Sequence, residues 1–118
     1  MRSPVVAQNT IEELQRRFKP ENARNLSATY LITIRGEDGG SWLTKIAEGN
    51  CEFIKQDDPE SARADCSIAI NAEDLEFIMN GQMTAMTAAL SGILAIDGEL
   101  GLAMQLVPIF FEGQAPFI

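Results

Sequence analysis

The chain has 118 residues, 46% of them hydrophobic, a formal net charge of −8 and no histidine. That length fits one domain with a single core. The acidic balance argues against nucleic acid and anionic lipid surfaces, which both need clustered Lys and Arg, and the missing histidine removes the commonest general base and the commonest metal ligand.

Residues 1–9 read as a disordered lead-in, and 10–118 as one domain. Thr10 offers an N-cap with Glu13 as its capping-box partner, and Ile11, Leu14 and Phe18 follow at helical spacing. This helix runs to about Arg17, and Pro20 stops it. Arg16, Arg17 and Lys19 read as a solvated helix end, where cations complement the dipole.

From Leu26 the period becomes two, so Leu26–Arg35 reads as a half-buried strand with Tyr30, Ile32 and Ile34 on one face. Gly36–Gly40 is a hairpin loop, and Ser41–Ala47 returns with Trp42, Thr44 and Ile46 on one face. Glu48-Gly49-Asn50 turns the chain into a third strand, Cys51–Lys55. A polar loop, Gln56–Arg63, leads to a fourth strand carrying Ala64, Cys66, Ile68 and Ile70. Asn71 caps a helix with Leu75, Ile78 and Met79 as its stripe, ended by Asn80-Gly81. A further helix is expected over Met83–Leu90, broken by Gly92. A fifth strand follows at Ile93–Ile96, and Asp97-Gly98 turns into a last helix. The pattern is an α+β domain.

Enzymatic signals are weak. Gly36–Gly40 lacks the Gly-Lys-Ser/Thr ending of a phosphate loop and precedes a strand. The acidic pairs Glu37-Asp38 and Asp57-Asp58 sit in loops as turn chemistry. Cys51 and Cys66 lack CxxC spacing and read as reduced core thiols. Neither a catalytic residue nor a metal ligand nor a cofactor is assigned. The first ten residues lack the charged start and apolar run of a secretory signal, and the final tripeptide is not peroxisomal, so the expected address is cytoplasmic.

The last helix is the unusual element. Between Leu100 and Phe111 the only polar side chain is Gln105. A surface helix should have one wet face, yet this one presents Leu102, Leu106 and Ile109 on one side and Leu100, Met104, Val107 and Phe111 on the other. It is too short to span a bilayer, which takes roughly 20 apolar residues. A packed partner, a second subunit or an apolar ligand must cover the second face.

The order of motifs resembles one family. Ala64-Asp65-Cys66-Ser67-Ile68 followed by Asn71-Ala72-Glu73-Asp74-Leu75 is similar to the alternating strand and acidic helix start of the sterol carrier protein 2 (SCP-2) family. Gly81 matches its glycine after that helix, and Trp42 its frequent second-strand tryptophan. Gly92-Ile93-Leu94-Ala95-Ile96-Asp97-Gly98-Glu99-Leu100 with Ala103-Met104-Gln105-Leu106 resembles its C-terminal signature. The resemblance spans Ile11–Phe111. It implies a five-stranded, mostly antiparallel sheet covered by helices, with an apolar tunnel under the C-terminal helices. It also implies non-catalytic binding or transfer of a sterol, fatty acid or isoprenoid-like lipid, with transient membrane contact permitted, by a monomer or homodimer. By position, Met83, Met86, Leu90, Leu94, Leu102, Leu106 and Phe110 would line the tunnel, with Ile32, Trp42 and Ile68 contributing from the sheet. Where the family signature is basic after its first glycine, this chain has Ile93, Ala95 and Asp97, which favours a neutral or single-chain lipid. The alternative is an accessory or dimerising module of the same fold, for instance in quinone biosynthesis, with the apolar helix as a protein interface. Burial is worth about 0.8 kcal/mol per methylene against roughly 4–15 kcal/mol of association cost, so micromolar affinity is expected.

Overall fold

The structure, a computed structural model, describes residues 7–36 and 39–111, with side chains from Thr10 onward. Helix α1 covers Ala7–Arg17, so it begins before Thr10, which is buried inside the helix rather than capping it. Glu13 pairs instead with Arg16 and Arg17, and those hydrogen bonds hold its carboxyl below the ordinary carboxylate range. Arg17 is not a free solvated cation: its guanidinium also donates to the Met79 carbonyl at 2.8 Å. A 3₁₀ turn follows at Pro20–Asn22.

The strands are β1 (Ala28–Arg35), β2 (Gly40–Ala47), β3 (Asn50–Gln56), β4 (Cys66–Asn71) and β5 (Ala95–Gly98), in the sheet order β3-β2-β1-β4-β5. Only β1 and β4 are parallel; the other neighbours are antiparallel. Glu48 (φ 53°) and Gly49 (φ 76°) both have positive φ, as a tight two-residue hairpin turn demands. Directly paired residues share a face, so the registers sort the sheet into two sides. Rows such as Trp42–Ile32–Ile68–Ile96 and Phe53–Thr44–Tyr30–Cys66 face inward. Rows such as Ile54–Leu43–Leu31–Ser67 face outward.

The helices lie on the inward side. Helix α2 (Ala72–Met79) buries Ala72, Leu75 and Ile78 and ends before Gly81 (φ 78°). The Asn71 side chain makes no cap bond, although the residue occupies the cap position. Helix α3 is shorter than expected, Ala85–Leu90, because Thr84 caps it by accepting from the Thr87 N–H. Strand β5 begins two residues later than expected. The Leu94 N–H is tied back to the Ala88 carbonyl at 2.9 Å, so Ile93 and Leu94 belong to the turn.

The single C-terminal helix of the sequence reading is two helices, α4 (Leu100–Met104) and α5 (Leu106–Phe110). Pro108 explains the break: it has no N–H for the Met104 carbonyl, and its ring crowds that carbonyl. Helix α5 is then held by the 3₁₀ turn, with Lys19 N–H donating to Ile109 O at 3.0 Å and the Asn22 amide to Pro108 O at 2.7 Å. The face of Leu106 and Ile109 finds cover within the chain, whereas on the other face Val107 is buried and Met104 and Phe111 are half-buried. Ala103, Leu106, Val107, Ile109 and Phe110 are buried, while Leu100 remains 49% exposed.

Candidate functional site

Strand alternation places Ile32, Ile68 and Ile70 on the inward face of the sheet, and a cavity of about 60 Å³ lies against them. Leu14 of α1, with Leu75 and Ile78 of α2, forms another wall. Ala85, Leu94 and residues of α4 and α5, among them Met104, Leu106, Val107 and Phe110, enclose the rest. Every lining side chain is apolar, so the cavity offers dispersion and dehydration but no charge or hydrogen bond. The nearby ordered polar contact belongs to the frame: the fully buried Tyr30 donates its hydroxyl to the Leu102 carbonyl at 2.8 Å, fastening α4 to the sheet. Burial, helped by the charges of Cys66 and Asp65, pushes the Tyr30 phenol up to about 12.

Of the residues singled out from the sequence, Ile32, Ile68, Leu94, Leu106 and Phe110 border the cavity. Trp42, Met83, Met86, Leu90 and Leu102 do not. Trp42 is buried beside Ile32 on the inward face, with the Lys55 ammonium 5.8 Å from its ring centroid. Met83, just before α3, is half-buried; within α3 Met86 is half-buried and Leu90 is 79% exposed, because the inward positions of that helix are the alanines Ala85 and Ala88. Leu102 and Leu106 would share a face on an unbroken helix; the break at Gln105 leaves only Leu106 on the cavity. Ile70, Leu75 and Ile78 were missed as lining, though the period-two strand and the α2 stripe had placed them inward.

The thiols are poor nucleophiles. Burial pushes Cys51 up to about 12, and burial with the carboxylates of Asp97, Asp65 and Glu99 raises Cys66. Among the described residues no cluster of three metal-ligating His, Cys, Asp or Glu side chains occurs, and no helix is long and apolar enough to cross a membrane.

Comparison with known proteins gives the same outline. The family model described as the SCP-2 sterol transfer family matches residues 9–111. Sterol carrier protein 2 of Bos taurus is 27% identical over 101 residues, covering 80% of this chain and 18% of its own length. Hydroxysteroid dehydrogenase-like protein 2 of Homo sapiens is 31% identical over 90 residues, covering 75% of this chain and 21% of its own. The chain thus spans about a fifth of the length of these curated relatives. Among solved structures, sterol carrier protein 2 like 2 from Aedes aegypti superposes with a TM-score of 0.66 at 19% identity, covering 85% of this chain and 92% of that one. The ubiquinone synthesis protein UbiJ-SCP2 superposes at 0.58 with 18% identity, covering 86% and 87%. With the mixed five-stranded sheet, the one-sided helices and the family model matching nearly the whole described chain, this protein belongs to the SCP-2 sterol transfer family.

Proposed function

We propose that the chain is a non-catalytic lipid-binding protein that takes one long-chain or sterol-like lipid between the inward face of the sheet and α4–α5. The observation that carries this reading is a wholly apolar cavity at that place. At about 60 Å³ the cavity is far below the ~300–1,000 Å³ of small-molecule sites, so a lipid must displace part of its wall. Helices α4 and α5 are the elements suited to move. Each has five residues, too few to be stable alone. The sheet, by contrast, is fixed by long registers. An apolar lining supports a neutral or single-chain lipid over an anionic headgroup, which would be buried without a partner.

The accessory-module alternative draws its support from the likeness to UbiJ-SCP2, a likeness of fold only. Against the particular interface it needs, Leu106, Val107, Ile109 and Phe110 are already buried within one chain. Titration of lipid-stripped protein with hexadecan-1-ol and with cholesterol, followed by calorimetry, tests the proposal. Saturable one-to-one binding near micromolar concentration is expected, with a change in the emission of Trp42, which pairs with the cavity residue Ile32. Absence of heat and of displacement for every lipid tried, together with a stable dimer, would favour the accessory module.

A further inference from the structure

The inward face of the sheet holds one polar atom that the frame does not use. Thr44 is fully buried, and its hydroxyl is the one buried side-chain N or O among the described residues without a hydrogen-bond partner. Buried polar groups are normally satisfied, so such an exception calls for a reason. The β1–β2 and β2–β3 registers set Thr44 between Tyr30 and Phe53, diagonal to the cavity residue Ile32. The Phe53 ring in turn lies 6.1 Å from that of Phe110, which walls the cavity. Thr44 therefore sits about one side-chain layer from the cavity, on the side that a lipid displacing Phe110 would reach.

We propose that the Thr44 hydroxyl anchors a neutral oxygen, a hydroxyl or carbonyl, at the buried end of the bound lipid. This rests on the lipid-binding reading above and adds the orientation and headgroup class of its ligand. The neighbouring Tyr30 hydroxyl is committed to the Leu102 carbonyl, which leaves Thr44 as the free partner on that row. A hydroxyl can both donate and accept, so it matches an alcohol, ketone or ester oxygen. A carboxylate there would need a cation. Lys55, the only basic residue at an inward-facing strand position, is exposed and stands over Trp42. Selectivity would come from the contrast between an apolar wall and one uncharged polar atom: a ligand lacking the oxygen leaves Thr44 unpaired.

The test is competitive loading of lipid-stripped protein from an equimolar dispersion of hexadecan-1-ol and octadecane, with the bound ratio read by native mass spectrometry. Thr44→Val keeps the shape and suits a strand, and it should lower the bound alcohol-to-alkane ratio about tenfold relative to wild type. Thr44→Ser, which retains the hydroxyl, should keep the wild-type preference. A ratio unchanged in Thr44→Val, with both proteins loading lipid, would overturn the anchor while leaving lipid binding intact. So would a parallel fall in alcohol and alkane. Wild-type protein that loads neither compound would overturn the lipid-binding reading and the anchor with it.

Discussion

The two faces of one sheet carry the same alternation of residues and reach different ends. Outward, Leu31, Leu43 and Ile54 form an apolar row across β1, β2 and β3, yet Ile54 is 37% exposed and the other two are half-buried. Beside them the Thr33 and Ser41 hydroxyls bond each other at 2.9 Å, which satisfies the buried Ser41 side chain. Inward, Ile32 and Ile68 are 7% and 8% exposed under the helices, and the space above them is lined by apolar side chains. Apolar side chains alone do not make a site; enclosure by elements that fit the sheet imperfectly does.

The largest effect expected from this contrast is at Leu106. Leu106→Glu puts a carboxylate against the apolar wall, at a cost of about 3–5 kcal/mol for an uncompensated buried charge, and lipid uptake should vanish in whatever protein remains folded. Leu43→Glu, on the outward row, should cost within about 1 kcal/mol and leave uptake intact. Denaturant titration and lipid loading of both variants check this, and equal losses at the two sites would erase the distinction between the faces. Leu102→Glu refines it further: Leu102 lies beyond the break at Gln105 and off the cavity, so its loss of binding should be clearly smaller than that of Leu106→Glu.

Tyr30 comes next. Tyr30→Phe removes the bond to the Leu102 carbonyl, which should cost about 1–2 kcal/mol and speed amide exchange in α4 more than in β1 and β2. Unchanged exchange in α4 would mean that the bond does not fasten it. Because the folded phenol is held at about 12 against an ordinary 10.0, the fold favours its neutral form. That stability is present below pH 10 and is lost as pH rises towards 12. Cys51, raised from 9.0 to about 12 by burial, acts in the same direction from a lower starting pH. Tyr30 is the only tyrosine, so its absorbance titration reads the group directly. A midpoint near 10 in folded protein would contradict its burial. The smallest effect is Cys66→Ser, which should cost some stability at this buried position and leave lipid loading unchanged.

Much of this contrast was legible in the residues. Period two along Tyr30, Ile32 and Ile34, and along Trp42, Thr44 and Ile46, assigned the inward face correctly, because alternate side chains must point the same way. Asn80-Gly81 marked the end of α2 for a backbone reason, the positive φ of Gly81. The C-terminal segment was harder to read. Pro108 sat in plain view, but its consequence, two five-residue helices in place of one, follows from the lost N–H and from contacts with the distant 3₁₀ turn. The resemblance assigns Met83 and Met86 to the tunnel lining, whereas alanines take the inward positions of α3 and Met83 precedes that helix. Periodicity over six residues does not fix which side of a helix meets the core. Of the lead-in expected at residues 1–9, residues 7–9 belong to α1 and residues 1–6 lie outside the described residues, as do the hairpin tip Glu37-Asp38 and residues 112–118.

The central claim is that a lipid enters the inward side of the sheet and not the outward row. Methyl NMR of lipid-stripped protein, titrated with one equivalent of a nitroxide-labelled long-chain alcohol, addresses it in a single spectrum. The account predicts saturable broadening of the Ile32, Ile68 and Leu106 methyls, while those of Leu31, Leu43 and Ile54 stay sharp. Broadening concentrated on Leu31, Leu43 and Ile54, or none that saturates anywhere, would contradict it.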